Sequence, residues 1–184
     1  MMKTIFLCGA FASLAMTAAT AAEAPRSMAP QTEPMAPAQM QMPRDAIGYA
    51  RMAGAGDLYE IESSRLAQQK AATGAVRQFG QMMIEHHTQT TQALTSAARA
   101  AGMTPPPPAL APRQQKMIDE LRGLSGAQFD AAYLRQQRMA HQEALALHSG
   151  YAENGDNAAL RKVAATAVPI VQRHIDMLAQ LPKG

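Results

Sequence analysis

One stretch constrains this chain more than any other. From Leu160 to Leu181, apolar side chains and one histidine recur by threes and fours: Leu160, Val163, Ala167, Ile170, His174, Met177, Leu181. An α-helix turns every 3.6 residues, so this spacing lines one helix face and needs other helices to cover it. The partners lie in the same chain. A first helix is expected from about Asp45, a side chain suited to capping, to Ala72. Ile47, Gly54 and Ile61 form one of its columns, and Met52, Tyr59 and Leu66 another. Between them Ala53, Gly56, Glu60, Ser63 and Ala67 make a narrow column of small side chains around one glutamate. Gly74 is suited to end this helix in a left-handed cap. A second helix is expected from about Ala75 to Ala101, centred on Val76, Met83, Thr90 and Ala97.

Pro105 to Pro108 then form a stiff connector, with a short helix from about Arg113 to Arg122. The third long helix opens with Ser125-Gly126-Ala127-Gln128, a Ser-x-x-Gln capping box, and runs to about Ala152. Asn154-Gly155-Asp156 turns the chain into the fourth, about Asn157 to Leu181, which Pro169 should kink and Pro182 should close. Only 4% of residues are aromatic while Ala, Met, Leu and Gln are plentiful, so strands have few of the residues they favour. Hairpin, long connector, hairpin describes an all-α four-helix bundle over residues 44–184.

The N-terminus has a different character. Lys3, the apolar run Ile5 to Ala19 and the small-x-small Ala19-Thr20-Ala21 read as a signal peptide over residues 1–22. The run is short for a membrane span. The single cysteine, Cys8, falls within it, so a processed chain would have neither disulfide nor thiolate. A periplasmic or secreted protein is expected, with no membrane span once the leader is removed. Residues 23–43 carry Pro25, Pro30, Pro34, Pro37 and Pro43 and read as an extended linker. Met28, Met35, Met40 and Met42 punctuate it; thioethers suit Cu(I), but with no His or Cys beside them a plain spacer is the better explanation. A formal net charge of +3, spread without basic blocks, does not point to nucleic acid.

Chemistry concentrates in the polar residues of the helical stripes. His86 and His87 are adjacent, and periodicity alone leaves open which points inward. Glu60 lies about 13 residues before the first helix turn and His87 about 13 after it, which places them level in an antiparallel hairpin. His141 lies about 14 residues before the second turn and His174 about 18 after it, a mismatch of about 6 Å that a kink at Pro169 could alter. Glu60, His87, His141 and His174 could therefore each offer one ligand from one helix. A carboxylate and three imidazoles would hold a single transition metal ion: Zn, Fe, Mn, Ni or Cu. His148 is about 10 Å from His141 along the axis, too far to share its ion. Each histidine alone is more often a hydrogen-bonded packing residue than a ligand. Glu62 and Glu143 read as solvated or ion-paired.

Glu60-Ile61-Glu62-Ser63-Ser64-Arg65-Leu66-Ala67, Met83-Ile84-Glu85-His86-His87-Thr88, Phe129-Asp130 with Tyr133-Leu134 and His141, and Pro169 followed by His174 resemble the exported bacterial proteins grouped as DUF4142. The resemblance covers about residues 44–181. It implies a ferritin-like four-helix fold, and a family without a settled biochemical role. It matches His87, rather than His86, to the family histidine; His86 stands where an acidic residue is usual. Glu60, His141 and His174 match in place.

No Glu-x-x-His occurs, so a carboxylate-bridged di-iron centre is not expected. Phosphate-loop, dinucleotide, Gly-x-Ser-x-Gly and HExxH signatures are also missing. The resulting expectation is a non-enzymatic exported protein holding one metal ion. The alternatives are a metal-dependent redox or peroxide enzyme, and a structural envelope stress protein whose histidines only pack.

Overall fold

The computed structural model describes residues 42–181. The expected signal peptide, most of the linker and Pro182 lie outside these residues. Five helices follow in order: α1 Ala46–Lys70, α2 Gly74–Ala100, α3 Pro112–Arg122, α4 Gly126–Asn154 and α5 Ala158–Gln180. Among the described residues there is no strand, only an isolated bridge between Ala71 and Gly126. The count is five rather than four because the connector carries the short α3. Its start is favoured by Pro112 in the first turn and by Gln114, whose Oε1 accepts from the Ala111 amide. None of these helices is long and apolar enough to cross a membrane.

The long helices pack as two hairpins, α1 with α2 and α4 with α5, and α1 lies along α4. The fourth seam, between α2 and α5, closes over a shorter stretch. Asp45, Thr73 and Asn157 each cap a helix by accepting from a backbone amide three residues on. Two local expectations are corrected. Gly74 does not end α1 in a left-handed cap. α1 stops at Lys70, and Gly74 begins α2 after the Thr73 cap. The buried Asp130 carboxylate accepts from the amides of Ala72 and Thr73, which fixes this turn in place of a glycine cap. Ser125 does precede α4, but its side chain makes no capping bond. Gly126 enters the helix at φ 62° while bridged to Ala71, so the geometry a capping box needs is absent.

The α5 stripe is also rotated by one residue. Its buried positions are Leu160, Ala164, Ala167, Val171, His174 and Leu178. Val163 and Ile170 are only half-buried, and Met177 is 40% exposed. Ala164 is fully buried beside the half-buried Val163, so the packed face takes the smaller of two adjacent apolar residues.

Apolar side chains form two separate clusters. Tyr49, Ala50, Leu94, Leu147, Tyr151 and Leu160 fill one end. Phe79, Met83, Leu121, Phe129, Tyr133 and Leu178 fill the other. Each long helix crosses both, while α3 joins only the second, through Leu121. Between them every long helix carries its buried ionisable residue: Asp57 and Glu60 on α1, His87 on α2, His141 on α4, His174 on α5. The fold is thus two apolar halves around one polar layer.

Candidate metal centre

The small side chains of α1 let its carboxylates sit deep in the structure. Asp57 is buried, and its Oδ1 accepts from His87 Nδ1–H at 2.8 Å and from Thr90 Oγ1–H at 2.9 Å. Its Oδ2 accepts from Thr91 Oγ1–H at 2.9 Å. A carboxylate only accepts, so the proton on His87 lies on Nδ1. His87 Nε2 is left buried with no hydrogen-bond partner. Burial pulls the His87 pKa down, but the hydrogen bond to Asp57 and the charges of Asp57 and Glu60 outweigh it, and the net shift is upward.

His141 Nδ1–H donates to the Gln137 carbonyl at 2.9 Å. Its Nε2 is then the acceptor for His174 Nδ1–H, at 3.2 Å. His174 Nε2 in turn accepts from His86 Nδ1–H at 2.8 Å, with the two rings stacked at 5.1 Å. Burial lowers the His141 pKa. Burial, followed by the neighbouring imidazoles and Arg173, lowers that of His174 to about 2. Both rings are therefore neutral in this arrangement, the form in which an imidazole ligates.

His87, His141 and His174 each offer one ligand atom, and these atoms lie within 4.8 Å of one another. Glu60 stands beside this group rather than within it. Its Oε1 is 3.7 Å from His141 Nδ1, too long for a hydrogen bond, and its Oε2 is buried without a partner. The structure therefore brings three of the four expected residues together and sets the fourth against the outer edge of one ring. The expected axial mismatch of His141 and His174 is taken up by side-chain reach. His141 is 13 residues before Asn154 and His174 is 16 after Ala158, leaving about 4.5 Å of helix rise.

Asp57 is the residue that sequence reasoning missed. A signal was available: an acidic side chain directly after the Ala53-Gly54-Ala55-Gly56 run, three before Glu60 on the same helix face. His86 is neither idle nor a substitute for His87. Neighbouring residues project about 100° apart on a helix, so His87 points to α1 while His86 reaches α5. His148 sits apart, with Nδ1 bonded to the Tyr49 hydroxyl at 3.0 Å and its pKa lowered by burial to about 4.

Two cavities adjoin this layer. A groove of about 540 Å³ between α2 and α5 reaches His86 and Asp57. A smaller cavity of about 200 Å³ reaches Asp57, Glu60 and His87 from the side of α1, α4 and the start of α3.

The family model described as DUF4142, a domain of unknown function, matches residues 29–181. The chain belongs to the DUF4142 family. Solved structures similar to this DUF4142 protein include CopM in its Ag-bound form. That match has 18% identity, covers 74% of this chain and 93% of that one, and has a TM-score of 0.61. CopM in its Cu(II)-bound form matches at 16% identity, covering 74% and 94%, with a TM-score of 0.61. A DUF305 fragment from Deinococcus radiodurans matches at 13% identity, covering 73% and 93%, with a TM-score of 0.63. At these identities the likeness is one of fold. No curated protein sequence matches the chain.

Proposed function

We propose that this DUF4142 protein is an exported, non-enzymatic holder of one transition metal ion, copper foremost, bound by His87, His141 and His174 within a ferritin-like four-helix bundle. The observation that supports this most is the convergence of three buried imidazoles from three helices beside an unpaired buried carboxylate. A buried Glu60 and an orphaned His87 Nε2 each carry a desolvation cost that a cation among the rings would offset. The donor set fits such an ion. Nitrogen-rich sites suit Zn, Cu, Fe and Ni, and Cu(II) leads the divalent affinity order. CopM, solved with silver and with Cu(II), is a protein of similar fold that takes such ions.

The chain's own residues would prepare the site. Asp57 holds His87 in the tautomer that presents Nε2. The Gln137 carbonyl does the same for His141 Nε2. His174 would ligate through Nδ1 by carrying its proton on Nε2 instead and donating it to His86 Nδ1. His86 is then a positioning residue. Glu60 balances charge from beside His141.

Tag-free protein loaded with Cu(II) and dialysed should retain one equivalent by elemental analysis. His174→Ala and His87→Ala should each lose it. Wild-type protein without bound metal under copper-replete conditions would refute the reading.

A further inference from the structure

The two cavities differ in what they touch. The wider α2/α5 groove meets the polar layer at His86 and Asp57, whose Nδ1 and carboxylate oxygens are already engaged. The smaller cavity shares Asp57 with it but adds Glu60 and His87, whose buried Oε2 and Nε2 have no partner. Its lining also includes two thioether side chains, Met42 and Met52, both half-buried against the apolar cluster around Tyr49. At the mouth, Arg113 Nη1 donates to Glu143 Oε1 at 2.7 Å; Arg113 is exposed and Glu143 half-buried. That pair cancels its own charge, and the buried Asp57 and Glu60 attract every cation alike. Discrimination between cations then falls to the uncharged donors along the wall. Thioethers bind soft cations such as Cu(I) and Ag(I) and hold hard or borderline divalent ions poorly.

We infer that this side cavity is the loading route of the metal centre, and that Met42 and Met52 make it selective for a soft monovalent cation, Cu(I) or Ag(I). The inference rests on the metal-holding reading above and adds the class of ion and its path. The thioethers give the entering cation a first pair of weak ligands in place of water. His87, one face of which borders the cavity, takes it next, and His141 and His174 complete the set. No change of oxidation state is involved; the ion exchanges water for sulfur and then for nitrogen.

The test uses the full chain and Ag(I), which has no redox partner state in water, with Cu(II) as the contrasting ion. Uptake is followed by stopped-flow tyrosine fluorescence, and stoichiometry by equilibrium dialysis. Met42→Leu/Met52→Leu conserves volume, so the fold should hold. This variant is expected to load Ag(I) at least tenfold more slowly than wild type, to load Cu(II) at the wild-type rate, and still to bind one Ag(I) at equilibrium. Ala144→Leu, which fills the cavity, is expected to slow both ions. Ag(I) uptake by the double Leu variant at the wild-type rate overturns the thioether selectivity. Unchanged uptake in Ala144→Leu overturns the route. A wild-type protein that binds neither ion at equilibrium overturns the metal centre itself, and the route with it.

Discussion

At the scale of single residues, Asp57 decides the state of His87. Three hydrogen bonds converge on this buried carboxylate, from His87 and two threonines of the same helix turn. Asp57→Asn preserves the shape and removes the charge. The His87 pKa should fall, because its main upward influence is lost while burial remains. Metal affinity should drop about tenfold or more, the usual effect of removing a carboxylate behind a ligating imidazole. NMR titration of His87 and a metal isotherm check the two halves. The histidines also set a pH dependence for the metal-free protein. His141, His148 and His174 have lowered folded pKa values, so below about pH 6.5 the unfolded chain takes up protons that the fold refuses. Stability should therefore fall as pH drops from 6.5 towards 4, by up to about 1.4 kcal/mol per pH unit for each histidine. His87 has the opposite sign. Its raised pKa contributes fully below 6.5 and is lost as pH rises through the folded value. Denaturant unfolding across pH 4 to 9 should show a maximum close to 6.5.

At the scale of helices, the approach of α1 to α2 determines whether His87 meets Asp57 at all. Gly80 lies one heptad before His87 on the same face. A Cβ there would stand 3.0 Å from Gln68 Nε2, 3.1 Å from Ala67 Cβ and 3.3 Å from the Ser64 carbonyl oxygen. The Gln68 side chain can move aside, but the other two are held by the α1 backbone. Gly80→Ala gains about 1 kcal/mol of helix propensity and should lose more to overpacking, typically 1–3 kcal/mol. A net destabilisation of about 1 kcal/mol, measured by chemical unfolding, is expected; a stabilised variant would show that the helices are not in close contact. On α4, Tyr133 bonds Ser64, Gln136 accepts from Tyr59, and Gln137 donates to Ser63, so α1 is pinned to α4 by polar groups as well as by packing.

At the scale of the whole molecule, the polar layer ties both hairpins together. His141–His174 spans α4 and α5, Asp57–His87 spans α1 and α2, and His86–His174 crosses the short seam between them. An ion held by His87, His141 and His174 would bridge the same hairpins and bind only the folded state. At a free concentration one hundred times Kd it should add about 2.7 kcal/mol, or roughly 5–10 °C in Tm for a chain of this size. A chelator should reverse the shift. His174→Ala should abolish it and His148→Ala should leave it intact, a contrast that calorimetry can read directly.

Much of this was legible in the residues. Long helices, their order and the connector follow from apolar periodicity and from proline and glycine punctuation, because backbone geometry imposes those spacings locally. Glu60, His87, His141 and His174 stood out as ionisable groups on apolar faces, and all four are buried in one layer. At Gly74 and Ser125 a distant residue overrides a local preference: Asp130 fixes the turn before Gly74, and the Ala71 bridge alters the entry to α4. On α5 the buried face takes Ala164 rather than Val163, a choice between two apolar neighbours that only packing makes. The residues alone dictate an all-α chain with polar groups on its buried faces, since 3.6-residue periodicity and burial of apolar surface act along the chain. That Asp57 orients His87, that His86 reaches His174 and that Glu60 stands outside the trio follow instead from how the helices pack. Those are contacts of about 3 Å between helices, and they depend on rotation and close approach that no spacing along one chain encodes.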